Sequence, residues 1–436
     1  MGKQIITTIS LAIIAFFAMA EFQPSGKVFA SGKPAQSNSR IIKAEQPIPN
    51  EYIVVLKDDI SEQDLEKKAD KIARRYGGKI SSYYKYGIKG FSVTMSEAAA
   101  VKLSRHPLVK FIEENAVQTL SGGVQSQSPT PNWGLDRIDQ FHLPLNNTYY
   151  YSADGTGVHV FIIDTGIRYT HQEFLGNTGA PRVDLGNSKN LYDLNNPTDI
   201  IDCNGHGTAV ASIAGGRTFG VAKNVTLHAV RIAHCKGASS TKLEADGLEY
   251  VLNRTRGNPR LKPAVVNFSW NPLKATENGT IANFTWSLIN QGITVVNSAG
   301  NDNTNAANYT PTYLSPVIVV GATDITDTRA TYTFPPSPTQ FTSNYGSIVD
   351  LFAPGINVQA ASFESDTATS IRSGTSFAAP HVTGAAALYL QSNPNVTPAQ
   401  VESYIVNRAT PNKVKNVPIG TTTRILYTGS AVFTSP

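Results

Sequence analysis

The chain is short of sulfur, of charge and of long apolar runs, and each shortage narrows what it can do. Two cysteines, Cys203 and Cys235, among 436 residues cannot make a tetrahedral zinc site or knit a small disulfide scaffold. Charged residues are 16% of the chain and the net charge is +5, without a dense Lys/Arg run interleaved with aromatics, which argues against a nucleic-acid partner. Lys67-Lys68 and Arg74-Arg75 read as one solvated helix face. After Ala20 no stretch is apolar enough, over long enough, to cross a bilayer. What is present is 41% hydrophobic residues in a chain with room for two or three domains, the composition of a globular protein with a sizeable core.

The first 20 residues have a lysine near the start, an apolar run from Leu11 to Ala20, and Ala18-Met19-Ala20 before a polar stretch. That is the shape of a secretory signal peptide and predicts an extracellular protein, free of the membrane once the signal is removed. In an exported chain the two cysteines either pair or stay as buried thiols. Pairing would close a loop of about 33 residues, worth roughly 3 to 4 kcal/mol through lost chain entropy.

Residues 21–49 are polar and aperiodic and read as a linker arm. Residues 50–120 hold a compact unit. Glu51–Lys57 is a strand, and Ser61 opens a helix on which Leu65, Ala69, Ile72 and Tyr76 repeat at helical spacing until Gly77-Gly78. Lys79–Tyr84 and Gly90–Met95 alternate as a hairpin, Ser96 caps a second helix, and Leu108–Val117 closes the order β-α-β-β-α-β of a small ferredoxin-like module. Residues 121–131, rich in Ser, Gly, Gln and Pro, form a flexible seam of the kind proteases cut.

From residue 132 to 436 the pattern changes. Apolar strands at Val158–Ile163, Val225–Val230, Ala264–Phe268, Ile293–Asn297, Pro316–Val320 and Ile348–Phe352 alternate with helices near His206–Ala214, Leu243–Asn253, Ile281–Gln291 and Ser376–Gln391. The alternation predicts an α/β domain, a doubly wound and mostly parallel sheet covered on both faces. In such a sheet the site lies at the carboxyl ends of the strands.

Three features point to that edge. Asp164 directly follows a strand, His206 sits between glycines in Asn204-Gly205-His206-Gly207-Thr208, and Ser376 lies in the run from Ser373 to Gly384. Gly374 permits a tight entry into a helix, so Ser376 would meet free N–H groups and the positive dipole end, with Pro380 in the first turn. A small-residue helix with Ser376 as a mere cap is the other reading of that run.

The stretches Ile162-Ile163-Asp164-Thr165-Gly166-Ile167, Asn204-Gly205-His206-Gly207-Thr208 and Ser373-Gly374-Thr375-Ser376-Phe377-Ala378-Ala379-Pro380 resemble the three signatures of the subtilases, in the chain order of the subtilisin triad. Trp133-Gly134-Leu135-Asp136-Arg137-Ile138-Asp139 and Ser343-Asn344-Tyr345-Gly346 are similar to the proteinase K and aqualysin branch, and Glu51–Val117 looks like that family's inhibitory propeptide.

The resemblance implies a secreted serine endopeptidase, a subtilisin-like catalytic domain made as a self-processing zymogen with its own propeptide as intramolecular inhibitor. Ser376 would be the nucleophile, His206 the base, Asp164 its orienter and Asn301 the oxyanion donor. Ser269, Trp270, Asn271, Gly237, Ala238, Ser239, Ala299 and Gly300 would line a cleft for protein or peptide substrates. The resemblance further implies an aqualysin-type disulfide between Cys203 and Cys235, a monomer, no cofactor for catalysis, and a structural calcium on Asp350 and the backbone oxygens of Val317 and Ser315.

The chain also departs from the family. Ser269-Trp270-Asn271-Pro272 and Gly237-Ala238-Ser239 stand where bare Ser-Leu-Gly-Gly and Gly-Ser-Gly backbones usually pair with substrate, which predicts a narrowed specificity. A proline-rich insertion, Thr333–Gln340, adds a surface loop. His171, His228 and His381 fall in helical or strand patterns and read as packing residues. Asp164-Thr165-Gly166 is also the aspartic-protease tripeptide, but no second copy exists for the required carboxylate pair. A catalytically impaired protease fold serving as a secreted binding protein is the non-enzyme alternative.

Overall fold

The computed structural model describes residues 40–43, 47–116, 124–176, 178–271, 279–333 and 340–429. The expected signal peptide, most of the arm, residues 117–120 at the end of the first unit's expected span, residues 121–123 of the seam, Pro272 and residues 334–339 of the insertion lie outside the described residues. The chain divides into two compact units, Met1–Val117 and Gln118–Pro436.

The first unit runs β1 (Ile41–Ile42), β2 (Pro47–Leu56), α1 (Glu62–Arg75), β3 (Lys79–Tyr84), β4 (Gly90–Thr94), α2 (Glu97–Leu103) and β5 (Val109–Ala116). Ser61 Oγ accepts from Asp64 N (3.2 Å) to cap α1, acidic residues open the helix and Arg74 and Arg75 end it, each sign matched to the dipole. Leu65, Ala69, Ile72 and Ala73 form the buried stripe. It packs on one sheet of order β1-β5-β2-β4-β3. The linker expected over 21–49 is corrected here. Ile41 and Ile42 pair in parallel with Ile112 and Glu113, and β2 begins at Pro47, because apolar Ile41 has a core position to fill at the sheet edge.

The second unit runs β6 (Gln125–Gln127), α3 (Trp133–Ile138), β7 (Tyr149–Tyr151), β8 (His159–Asp164), β9 (Lys189–Asn190), α4 (His206–Gly215), β10 (Thr226–Arg231), α5 (Thr241–Thr255), β11 (Ala264–Phe268), α6 (Thr280–Asn290), β12 (Thr294–Ser298), β13 (Ile318–Thr323), β14 (Thr331–Thr333), β15 (Gln340–Thr342), β16 (Leu351–Pro354), β17 (Val358–Ala361), β18 (Thr369–Arg372), α7 (Thr375–Ser392) and α8 (Pro398–Arg408). Seven strands form one parallel sheet of order β16-β13-β12-β11-β8-β10-β9. Alternate residues of β8 feed two cores. Val160 and Ile162 join the face covered by α4 and α7, while Phe161 and Ile163 join the face covered by α5 and α6. That double burial is why the central strands are rich in apolar residues on both faces and are buried along nearly their whole length.

Several boundaries differ from expectation. Part of the seam is a strand: Gln125–Gln127 pairs antiparallel with Tyr149–Tyr151, and Gln127 Oε1 accepts from Lys223 Nζ (2.7 Å). β13 starts at Ile318 because the Val317 N–H turns back to Leu314 O (3.0 Å), and Val349 N likewise turns to Gly346 O (3.1 Å) before β16. α7 begins at Thr375, so Pro380 lies in its second turn and not its first. Pro380 has no N–H for Ser376 O, and Ser269 Oγ donates to that oxygen instead (3.5 Å).

Candidate functional site

Asp164 is the last residue of β8, in the middle of the sheet, with β10 on one side and β11 on the other. Its side chain is fully buried. His206 is the first residue of α4, entered through Gly205 at φ +98°, where an added Cβ would fall 2.5 Å from the Phe363 ring. His206 Nδ1 lies 2.8 and 2.9 Å from the two Asp164 carboxylate oxygens. A carboxylate only accepts, so Nδ1 carries the proton and Nε2 is left as the basic nitrogen. Burial pushes the imidazole pKa down, but the charge and hydrogen bond of Asp164 outweigh it and hold the ring above its ordinary value.

The turn that carries His206 is organised by Asp202, a buried carboxylate. Its Oδ1 accepts from Thr165 Oγ1, Asn204 N and Gly205 N (each 2.9 Å), and its Oδ2 from Thr208 N (2.9 Å) and Thr208 Oγ1 (2.7 Å). Thr165 Oγ1 in turn accepts from Gly207 N (2.9 Å). The disulfide between Cys203 and Cys235 closes the next loop against this turn, and Asn204 Nδ2 donates to Cys235 O (3.0 Å).

Ser376 is the second residue of α7, where backbone N–H groups have no intrahelical acceptor. Its neighbour Phe377 places its ring 5.1 Å from the His206 ring, which brings the start of α7 beside the imidazole. Among the described residues the Ser376 hydroxyl makes no hydrogen bond to His206; such contacts tighten when substrate binds.

Asn301 follows β12 and faces the same helix start. Its Oδ1 accepts from both Thr375 N (3.0 Å) and Thr375 Oγ1 (3.1 Å), so its amide NH₂ turns toward Gly374, whose added Cβ would lie 3.8 Å from Nδ2. Ala299 and Gly300 are pinned from outside, with Asn344 Nδ2 donating to Ala299 O (2.9 Å) and Thr375 Oγ1 accepting from Gly300 N (3.2 Å).

Of the expected cleft residues, Gly237, Ser269 and Trp270 line one recess of about 160 Å³ with Thr165, Asn204 and His206. The Trp270 indole N–H donates to Ile163 O (3.2 Å), which folds the ring against the end of β8. Ala238 O accepts from His234 N (2.9 Å) and Ser239 Oγ donates to Ile232 O (2.8 Å), so both shape the loop by their own bonds. Asn271 turns the other way, toward Asn297 and Ser298.

Asp350 is half-buried, its carboxyl pushed up to about 7 by desolvation against the opposing pull of the Val319 N–H (2.8 Å). Among the described residues no group of three or more His, Cys, Asp or Glu side chains converges as a metal site. A half-buried carboxylate that accepts one backbone N–H, from Val319 two positions after Val317, still fits a hard cation.

His171, His228 and His381 are buried, as packing residues should be. His381 Nδ1 meets Phe377 O (2.9 Å) and stays uncharged, burial pushing its pKa down to about 4. The supporting residues that motif reading passed over are Thr375, Asp202, Thr165 and Asn344. Three of these stand inside the quoted stretches, Thr375 and Thr165 next to Ser376 and Asp164 and Asn344 in Ser343-Asn344-Tyr345-Gly346, and that adjacency was the available signal.

Residues 155–422 match the family model described as Subtilase family, and residues 51–121 match that of Peptidase inhibitor I9. The chain is 39% identical over 422 residues to an extracellular serine proteinase of Thermus sp. (strain Rt41A), covering 92% of this chain and 95% of that protein. It is 37% identical over 369 residues to alkaline serine exoprotease A of Vibrio alginolyticus, covering 84% of this chain and 63% of that protein. Among solved structures it is similar to a cold adapted subtilisin-like serine proteinase, with TM-score 0.60 and 38% identity over 70% of this chain and 100% of that one.

Proposed function

Because the chain belongs to the subtilase family and carries a peptidase-inhibitor I9 unit ahead of its catalytic unit, we propose that Asp164, His206, Ser376 and Asn301 are the machinery of a secreted serine endopeptidase. The observation that carries the assignment is the His206 imidazole held by both oxygens of Asp164 beside the start of α7.

Ser376 Oγ attacks the substrate carbonyl while its proton passes to His206 Nε2. The imidazolium formed at that moment is stabilised by the Asp164 carboxylate, which stays ionised. The carbonyl oxygen becomes an oxyanion between Asn301 Nδ2 and the Ser376 N–H, two donors whose positions are set before substrate arrives. Collapse expels the amine, which takes the proton from Nε2, and leaves an acyl-enzyme. Water then repeats the sequence in reverse. Subtilases require no cofactor for this chemistry.

The I9 unit makes the chain a zymogen with a built-in inhibitor. The pairing of Gln125–Gln127 with Tyr149–Tyr151 supports a self-cut upstream of Val124, which leaves that strand in the mature enzyme. The mature enzyme acts as a monomer. Asp350, with the backbone oxygens of Ser315 and Val317, holds a structural calcium; chelation should lower the melting temperature, and Asp350→Asn should remove that sensitivity.

The impaired binding-protein alternative predicts an inert serine. A fluorophosphonate should label wild type and not Ser376→Ala, and Ser376→Ala should accumulate as the uncut zymogen. An unlabelled wild type, or equal sizes for both proteins, would refute the assignment.

A further inference from the structure

β11 and β12 run side by side in parallel, with Phe268 opposite Asn297. Beyond that pair the two chains continue as Ser269–Asn271 and Ser298–Asn301, one reaching the Ser376 carbonyl and the other supplying the oxyanion donor. A carbonyl held between Ser376 and Asn301 is therefore flanked by these two extensions. The side chain on the residue that owns the carbonyl must enter the gap between them.

Asn271 occupies that gap. Its Nδ2 donates to Ser298 O (2.6 Å) and to Asn297 Oδ1 (3.1 Å), and its Oδ1 accepts from Ser298 Oγ (2.8 Å). Asn297 is itself fully buried and spends its own Nδ2 on Phe268 O (2.5 Å) and Trp270 O (3.1 Å), so the partner that holds Asn271 cannot swing aside. The two walls are thus laced together by one side chain whose polar atoms are all engaged. A bulky substrate side chain would have to break these bonds and leave buried polar groups unpaired.

We propose that Asn271 is a latch that shortens the pocket beside the oxyanion site and restricts this enzyme to peptide bonds that follow small side chains such as glycine, alanine or serine. The inference rests on the assignment of Ser376 and Asn301 above and names the substrate class for that site. Loss of the three neutral hydrogen bonds corresponds to at least about a tenfold bias.

The test uses the mature enzyme and peptide anilides that differ only in the residue before the scissile bond, alanine or phenylalanine. Wild type should favour alanine at least tenfold in kcat/KM, and Asn271→Gly should move the phenylalanine-to-alanine ratio toward phenylalanine by at least tenfold. Ser298→Ala, which removes only the hydroxyl that donates to Asn271, should move the same ratio by about threefold and serves if the glycine variant fails to fold. Equal cleavage of both anilides by a wild-type enzyme that a fluorophosphonate labels at Ser376 would overturn the latch alone. Unchanged ratios in the folded variants would do the same. Absence of both labelling and hydrolysis would overturn the latch together with the assignment beneath it.

Discussion

Thr375 donates its backbone N–H and its hydroxyl to one and the same oxygen, Oδ1 of Asn301, at 3.0 and 3.1 Å. Both donors lie one residue before Ser376, so the start of α7 and Asn301, the proposed nucleophile helix and oxyanion donor, are aligned by a single threonine.

Removing that hydroxyl should loosen Asn301 without touching substrate. Thr375→Val is expected to lower kcat about tenfold with KM nearly unchanged, whereas Asn301→Ala should cost about 100- to 1,000-fold. Steady-state kinetics on a single anilide separates the two. A KM effect in place of a kcat effect would argue against an alignment role.

The proposed Asp164–His206 pair should set the acid limb of activity. Because Asp164 holds the imidazole above its ordinary value, kcat/KM should fall with an apparent pKa above about 6.5 as pH decreases. Asp164→Asn removes the charge that opposes burial, so the limb should move to lower pH while kcat drops about 10,000-fold. The pair also stabilises the folded state in acid. That contribution is complete below the unfolded imidazole pKa and is lost as pH rises through the raised folded value.

Glu244, in the first turn of α5, is 6% exposed, and its Oε2 has no hydrogen-bond partner among the described residues. Burial pushes its carboxyl from 4.5 up to about 7. The folded state therefore holds a proton that the unfolded chain has released, and stability declines as pH rises from about 4.5 to about 7. Glu244→Gln should abolish that decline and gain on the order of 2 kcal/mol at pH 8, with no gain at pH 4. Urea unfolding at the two pH values checks it.

The disulfide spans a sequence separation of 32 and abuts the turn that holds His206. Replacing both cysteines by serine should cost about 3 to 4 kcal/mol. Thermal inactivation should therefore set in at lower temperature, measured as residual kcat/KM after timed heating.

How far the sequence could be read depended on what kind of interaction made each feature. The parallel sheet was legible because β8, β11 and β12 each carry an apolar run rich in β-branched residues (Val160–Ile163, Val265-Val266, Val295-Val296), a pattern that burial on both faces favours. The subtilisin-like fold, the I9 unit and the serine-protease class were legible from the signatures. Short β6 was hidden because polar Gln125–Gln127 gains its place through backbone pairing and the Lys223 contact, neither of which leaves an apolar period. α8 went unread, although Thr397 and Gln400 form a reciprocal capping box at its start. The turn of Asn271 toward Asn297 and Ser298 was not legible, since it needs a residue beyond the end of β11 and two residues of β12 at once. The same holds for fully buried Arg137, whose guanidinium grips Asp327 at 2.7 and 3.0 Å across 190 positions.

The sheet order has a temporal consequence. β8, made early, must wait for β10 and β11 to emerge before it has neighbours, and β12, β13 and β16 add outward only after that. Such non-local parallel pairing makes assembly slow, and the barrier that delays assembly also delays its reversal. For an enzyme released among proteases, itself included, working lifetime is then governed by how rarely that barrier is crossed and less by the equilibrium between folded and unfolded chains.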